Sequence, residues 1–189
     1  GQENSPRDLF FKPDGTIMYT VGNNADRVNQ WTLSTAWDIS TASYASKYIS
    51  YASQSTAVEG LFFKPDGVTL YILGENNNTV FQYTLSTAWD VSTASYASKT
   101  AFIGNANTTQ PMGMFFKSDG SKMYITGYIS DAVSQYNMGS LHTLTLPSSV
   151  ENPPRIPFQF GSRFAYDFFT KDGGTTVTLL SENKEDTTF

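Results

Sequence analysis

Aspartate recurs at three equivalent places, Asp14, Asp66 and Asp119, each followed by glycine. Three carboxylates brought to one point could hold a metal ion or share general-acid and general-base work. The glycine supports a structural account instead. Asp bonds its own backbone in a tight turn, and Gly supplies the positive φ that such a turn needs. Two more carboxylates follow tryptophan, as Trp37-Asp38 and Trp89-Asp90. A ring beside a polar acceptor suits a sugar, which stacks on the ring and offers its hydroxyls to the carboxylate. The same pair also suits a loop whose ring packs beneath it. These four residues form the candidate ligand-binding set. His142 is the only histidine. That excludes a multi-histidine metal site, and no Ser-His-Asp order is supported. No catalytic set, metal or cofactor is therefore expected. Gln30, Gln82 and Gln135 are equivalent and read as buried partners for backbone groups. Asn77 and Asn107 open glycosylation sequons in expected loops.

The elements that hold these residues repeat. Leu9–Leu33, Leu61–Leu85 and Met114–Met138 are three copies of one stretch, and their aromatic pairs Phe10-Phe11, Phe62-Phe63 and Phe115-Phe116 lie 52 and 53 residues apart. In the second copy, Leu61–Lys64 reads as a first strand and Pro65-Asp66-Gly67 as its turn. Thr69–Leu73 is a second strand, apolar on both faces, as in a sheet covered on both sides. Val80–Leu85 is a third, with Phe81, Tyr83 and Leu85 on one face. The near-duplicate linkers Ser34–Lys47 and Ser86–Lys99, each opening STAWD, read as turn-rich loops. They lead to fourth strands near Tyr44–Ser50 and Tyr96–Ile103. No STAWD segment follows Met138. The expected fold is all-β: propeller-like four-stranded blade repeats, two full and one partial, over residues 1–139, then a C-terminal β segment over 140–189. In that segment Leu141–Leu146 is a strand candidate, and Arg163–Ser181 reads as a hairpin about Asp172-Gly173. Its register sets Phe168 across from Val177 and Tyr166 across from Leu179. Phe164, Tyr166, Phe168, Val177 and Leu179 are the expected assembly face. Two full repeats and a partial one leave blade faces and strand edges uncovered, so the chain is expected not to close on itself.

Composition narrows the classes. Charged residues make up 15% of the chain, aromatics another 15%, and the net charge is −5. Such a chain packs rather than staying disordered, and a nucleic-acid backbone is not an expected partner. There is no cysteine, which removes disulfides, thiolate metal sites and a cysteine nucleophile. No apolar run approaches the roughly 20 residues needed to span a bilayer.

The stretch FKPDGVTLYILGENNNTVFQYTL resembles the YVTN-type β-propeller repeat, with its Pro-Asp-Gly turn, Leu-Tyr-Val-like strand and Asn-rich turn. The resemblance runs from Leu9 to Met138. The linker STAWDVSTASY is similar to segments of repeat-bearing surface and virion proteins of environmental bacteria and their phages. The first resemblance implies a propeller, among whose relatives are cell-surface proteins and lactonase-like enzymes. The expected function is a non-enzymatic structural or binding module of a cell-surface, filament or virion protein. Self-association or contact with other subunits is expected, in an extracellular or surface location. A carbohydrate-binding module using Trp37 and Trp89, with glycans as partners, is the first alternative. A lactonase-like propeller enzyme is the second.

Overall fold

The computed structural model describes residues 2–104 and 110–138, together with the backbone of His142–Thr145, Thr176–Leu179 and Lys184–Thr187. The first blade is the antiparallel sheet β1 (Pro6–Phe11), β2 (Ile17–Gly22), β3 (Arg27–Leu33) and β4 (Ala42–Ser50). The second blade repeats it as β5 (Val58–Phe63), β6 (Thr69–Gly74), β7 (Thr79–Leu85) and β8 (Ala94–Phe102). The third contains β9 (Pro111–Phe116), β10 (Lys122–Gly127) and β11 (Ala132–Asn137). The remaining strands are β12 (His142–Thr145), β13 (Thr176–Leu179) and β14 (Lys184–Thr187).

Local chemistry sets the β1–β2 type of hairpin. Gly15, Gly67 and Gly120 take φ of 73°, 70° and 72° at the Asp-Gly turns. Beside them, an Asp oxygen accepts the backbone N–H two residues on: Asp14 from Thr16, Asp66 from Val68 and Asp119 from Ser121. The four-residue repeat unit of turn chemistry therefore repeats with the strands. A bulge also recurs. Gln30 pairs with Lys47 but Trp31 with Tyr44, and Gln82 pairs with Lys99 but Tyr83 with Tyr96. In each case two residues of the outer strand are left over, and Ser46 or Ser98 absorbs the kink at positive φ.

The first strands of successive blades lie side by side. Phe10 meets Phe62 at 5.6 Å between ring centroids, and Phe62 meets Phe115 at 5.7 Å. Blades thus radiate from a common inner line of first strands, which is a propeller arrangement. The middle blade is buried on both faces. Leu70, Ile72, Phe81, Tyr83 and Leu85 join Tyr19, Val21 and Phe63 in one core with the first blade. Tyr71, Leu73 and Val80 join Phe116, Met123 and Ile125 in a second core with the third. This alternation is why Leu70, Tyr71, Ile72 and Leu73 of β6 are all buried, on both faces of the strand.

β14 pairs antiparallel with β11, Gln135 opposite Glu185, and gives the third blade its fourth strand. β13 pairs with β12, so Val177 stands opposite Leu144 and Leu179 opposite His142. The proposed partners Phe164, Tyr166 and Phe168 lie outside the described residues.

Candidate functional site

The three turn aspartates do not meet. Each sits at the tip of its own blade's turn, where one of its oxygens accepts a backbone N–H, and Asp14 and Asp119 are also paired with lysines. The Lys12 ammonium lies 2.7 Å from Asp14 and that of Lys117 lies 2.6 Å from Asp119. Lys12 and the Thr16 hydroxyl hold the Asp14 carboxyl down at about 2. Among the described residues, no group of three or more His, Cys, Asp or Glu side chains could hold a metal ion. No described helix is long and apolar enough to cross a membrane.

The Trp-Asp pairs are joints between elements. Asp38 and Asp90 cap short 3-10 turns, Ile39–Thr41 and Val91–Thr93, by accepting from the backbone N–H of Ser40 and Ser92. Asp90 also receives the Lys47 ammonium of the first blade at 2.7 Å. The Val91 N–H donates to Gln30 Oε1 at 3.0 Å, and the Tyr19 hydroxyl to the Trp89 carbonyl at 2.6 Å. The second STAWD segment is therefore a clamp that closes back on the preceding blade. The Trp89 ring lies directly on Gly67, where a Cβ would overlap it, and is flanked by Phe63 at 5.4 Å and Phe10 at 6.5 Å. Trp37 covers Gly15 in the same way but leaves 59% of its surface exposed. Of the sequons, Asn77 is half-buried and its amide donates to the Gln54 carbonyl at 2.7 Å. Asn107 lies outside the described residues.

A different set of polar groups converges where the inner strands β1 and β5 begin. Glu59 on β5 is 5% exposed, although it is a carboxylate. Its Oε1 lies 3.5 Å from Arg7 Nε and accepts from Asn23 Nδ2 at 3.0 Å. Asn23 is fixed in turn, because its Oδ1 accepts the Val58 N–H at 2.6 Å. Asp8, beside Arg7, accepts the Leu9 N–H at 2.8 Å and the Leu61 N–H at 2.9 Å. Burial raises the Asp8 pKa above the usual 3.8, outweighing those two backbone bonds. The result is a partly buried carboxylate, Asp8, on the same strand as a cation, Arg7, whose guanidinium is anchored by the buried Glu59.

None of these four residues was among the sequence candidates, because they are not repeated. Counted back from the aromatic pairs, Arg7, Glu59 and Met112 share one register and Asp8, Gly60 and Gly113 the next. The signal available in sequence was the departure from repetition at a place where neighbouring copies touch.

The family model described as Lactonase, 7-bladed beta-propeller matches residues 2–158. No curated protein matches the chain. Among solved structures, the Pseudomonas aeruginosa periplasmic gluconolactonase superposes with a TM-score of 0.52 at 16% identity, covering 70% of this chain and 35% of that one. A candidate 6-phosphogluconolactonase of Bacteroides fragilis gives 0.53 at 13% identity, covering 70% and 34%. A protein from Lactobacillus plantarum gives 0.54 at 16%, covering 71% and 38%. The chain thus spans little more than a third of the length of these structures, whose likeness shows the fold. The family match overturns the expectation of a non-enzymatic fibre or surface component and favours the enzyme alternative. With 2–158 matched, the chain belongs to the lactonase family of seven-bladed β-propellers.

Proposed function

We propose that the propeller to which this chain contributes hydrolyses a lactone of the sugar-acid class, with Asp8 and Arg7 in its reaction centre. The observation that carries the reading is the junction of the inner strands β1 and β5, where the buried Glu59 holds Arg7 and Asn23 and where Asp8 accepts the Leu61 N–H, within a chain of the lactonase family. The names of the Pseudomonas and Bacteroides structures supply the substrate class. Water adds to the ring carbonyl, its proton passing to Asp8. The ring C–O bond then breaks, and the proton returns to the leaving alkoxide, giving the open hydroxy acid. Arg7 faces the oxygen that gains negative charge. Glu59 is a positioning residue that holds the guanidinium, and Asn23 holds Glu59.

Hydrolysis of glucono-δ-lactone, followed by base uptake at constant pH, tests this. Asp8→Asn should lower kcat by roughly 10²–10⁴-fold with an unchanged circular dichroism spectrum. The wild-type rate should fall as pH drops through the Asp8 pKa, which burial holds above 3.8. A wild-type rate no faster than buffer across a panel of sugar lactones overturns the proposal. An unimpaired Asp8→Asn removes Asp8 from it.

A further inference from the structure

Comparing the two junctions between blades isolates one opening. At the first junction, the Trp89 indole fills a socket made by Phe10, Phe63 and Gly67, beneath Tyr19. At the second, the equivalent residues are Phe62, Phe116, Gly120 and Tyr71, and they keep the same arrangement. Phe62 lies 5.2 Å from Phe116, and Phe116 stacks on Tyr71 at 4.3 Å, much as Phe63 lies 4.5 Å from Tyr19. No STAWD segment follows Met138 to supply a third indole. Among the described residues, a Cβ built on Gly120 meets nothing within 4 Å, whereas one on Gly67 would overlap Trp89. A cavity of about 450 Å³ lies there, walled by Phe62, Tyr71, Phe116 and Gly120.

Its rim is charged, and differently from the other turns. Lys64, Asp66, Lys117 and Asp119 all line it. Lys117 and Asp119 neutralise each other at 2.6 Å. Among the described residues Lys64 and Asp66 form no such bridge, although Lys12 and Asp14 do at the matching place in the first blade. One cation and one anion are thus left at the mouth of an aromatic socket. Asp66 keeps one oxygen on the Val68 N–H at 2.9 Å and has the other to offer.

We propose that this socket binds a free aromatic amino acid of tryptophan type. The ring takes the place that Trp89 fills at the first junction, between Phe62 and Phe116 and over Gly120. The ligand carboxylate meets Lys64 and its ammonium meets Asp66, so both rim charges are answered at once. The site is separate from the Arg7–Glu59 cluster. Glu59 is near the start of β5 and Lys64 just beyond its end, about 17 Å apart along an extended strand.

Titration of the folded chain with L-tryptophan, read by two-dimensional amide NMR, is the test. Saturable shifts confined to residues 62–71 and 116–121 are expected. Lys64→Gln, a change at the half-buried rim, should weaken L-tryptophan roughly three- to tenfold and leave uncharged indole unaffected. Phe62→Ala should weaken both. Absence of saturable shifts at millimolar L-tryptophan overturns the proposal. So does binding that Lys64→Gln and Phe62→Ala both leave unchanged, since the ligand would then sit elsewhere. Indole binding alone, equal to that of tryptophan, refutes the role given to the rim charges.

Discussion

Single residues in this protein are sorted by whether the repeat copies them. Gly67 is copied because its φ of 70° and the Trp89 ring resting on it both exclude a side chain. Gly67→Val should cost at least about 1–3 kcal/mol from the positive φ alone, plus displacement of the indole. Gly120→Val suffers the same φ but meets open space. Thermal melts should therefore show Gly67→Val falling further than Gly120→Val, and equal falls would mean that the Trp89 contact contributes nothing. Asp14 gives a pH signature. Its folded pKa is depressed from 3.8 to about 2 by Lys12 and Thr16. A depressed carboxylate stabilises the fold above its unfolded pKa, and this contribution fades as pH falls from 3.8 through about 2. Asp14→Asn should accordingly melt below wild type at pH 6, with the gap closing near pH 2. Since Asp14 is fully exposed, high salt should also narrow the gap. A gap independent of pH would show that the Asp14 charge is irrelevant to the turn.

At the scale of elements, the STAWD segment is the informative one. Read as a loop, it is the device that joins blades: Asp90 to Lys47, Val91 to Gln30, Trp89 onto Phe10 and Phe63. A blade alone is a sheet with two apolar faces, so it needs neighbours and something to fix their spacing. Phe63 is where these requirements meet, since it is 1% exposed and touches Tyr19, Phe10 and Trp89. Phe63→Ala should cost about 3–5 kcal/mol by transfer and cavity formation. Urea unfolding would measure it, and a loss near zero would mean that the junction can collapse around the gap. The outer-strand completion of the third blade by β14 shows the same economy: β11 would otherwise be an open edge.

The described residues build three blades of a family whose propellers have seven. The two terminal blade faces show it. Trp37 and Ile39 are exposed on the first blade, and Phe115, Tyr128 and Ile129 on the third, with Tyr128 reaching 69%. Apolar patches of this kind associate in water. Isolated as these 189 residues, the chain should self-associate, and Tyr128→Lys with Ile129→Lys should shift its light-scattering mass toward the monomer. An unchanged mass would place the contact elsewhere. The proposed reaction centre also belongs to this scale, because Arg7 and Glu59 stand 52 residues apart in sequence and meet only when two blades align.

The sequence determined the repeat, the strands within a residue or three of their observed starts, the Asp-Gly turns and the two-faced burial of β6. All of these depend on local chemistry: turn residues that take positive φ, and side-chain alternation with period two. Three things were decided only in three dimensions. The third blade takes β14 as its fourth strand, a pairing between distant segments that no periodicity announces. The Trp-Asp pairs, attractive as a sugar site, are partly consumed in packing, because the second clamps the first blade. The contacts of Glu59 with Arg7 and Asn23, and of Asp8 with the Leu61 N–H, arise only where the first two blades are brought together. Burial there both fixes Glu59 and raises the pKa of Asp8, and burial is a property of the packed blades rather than of either strand by itself.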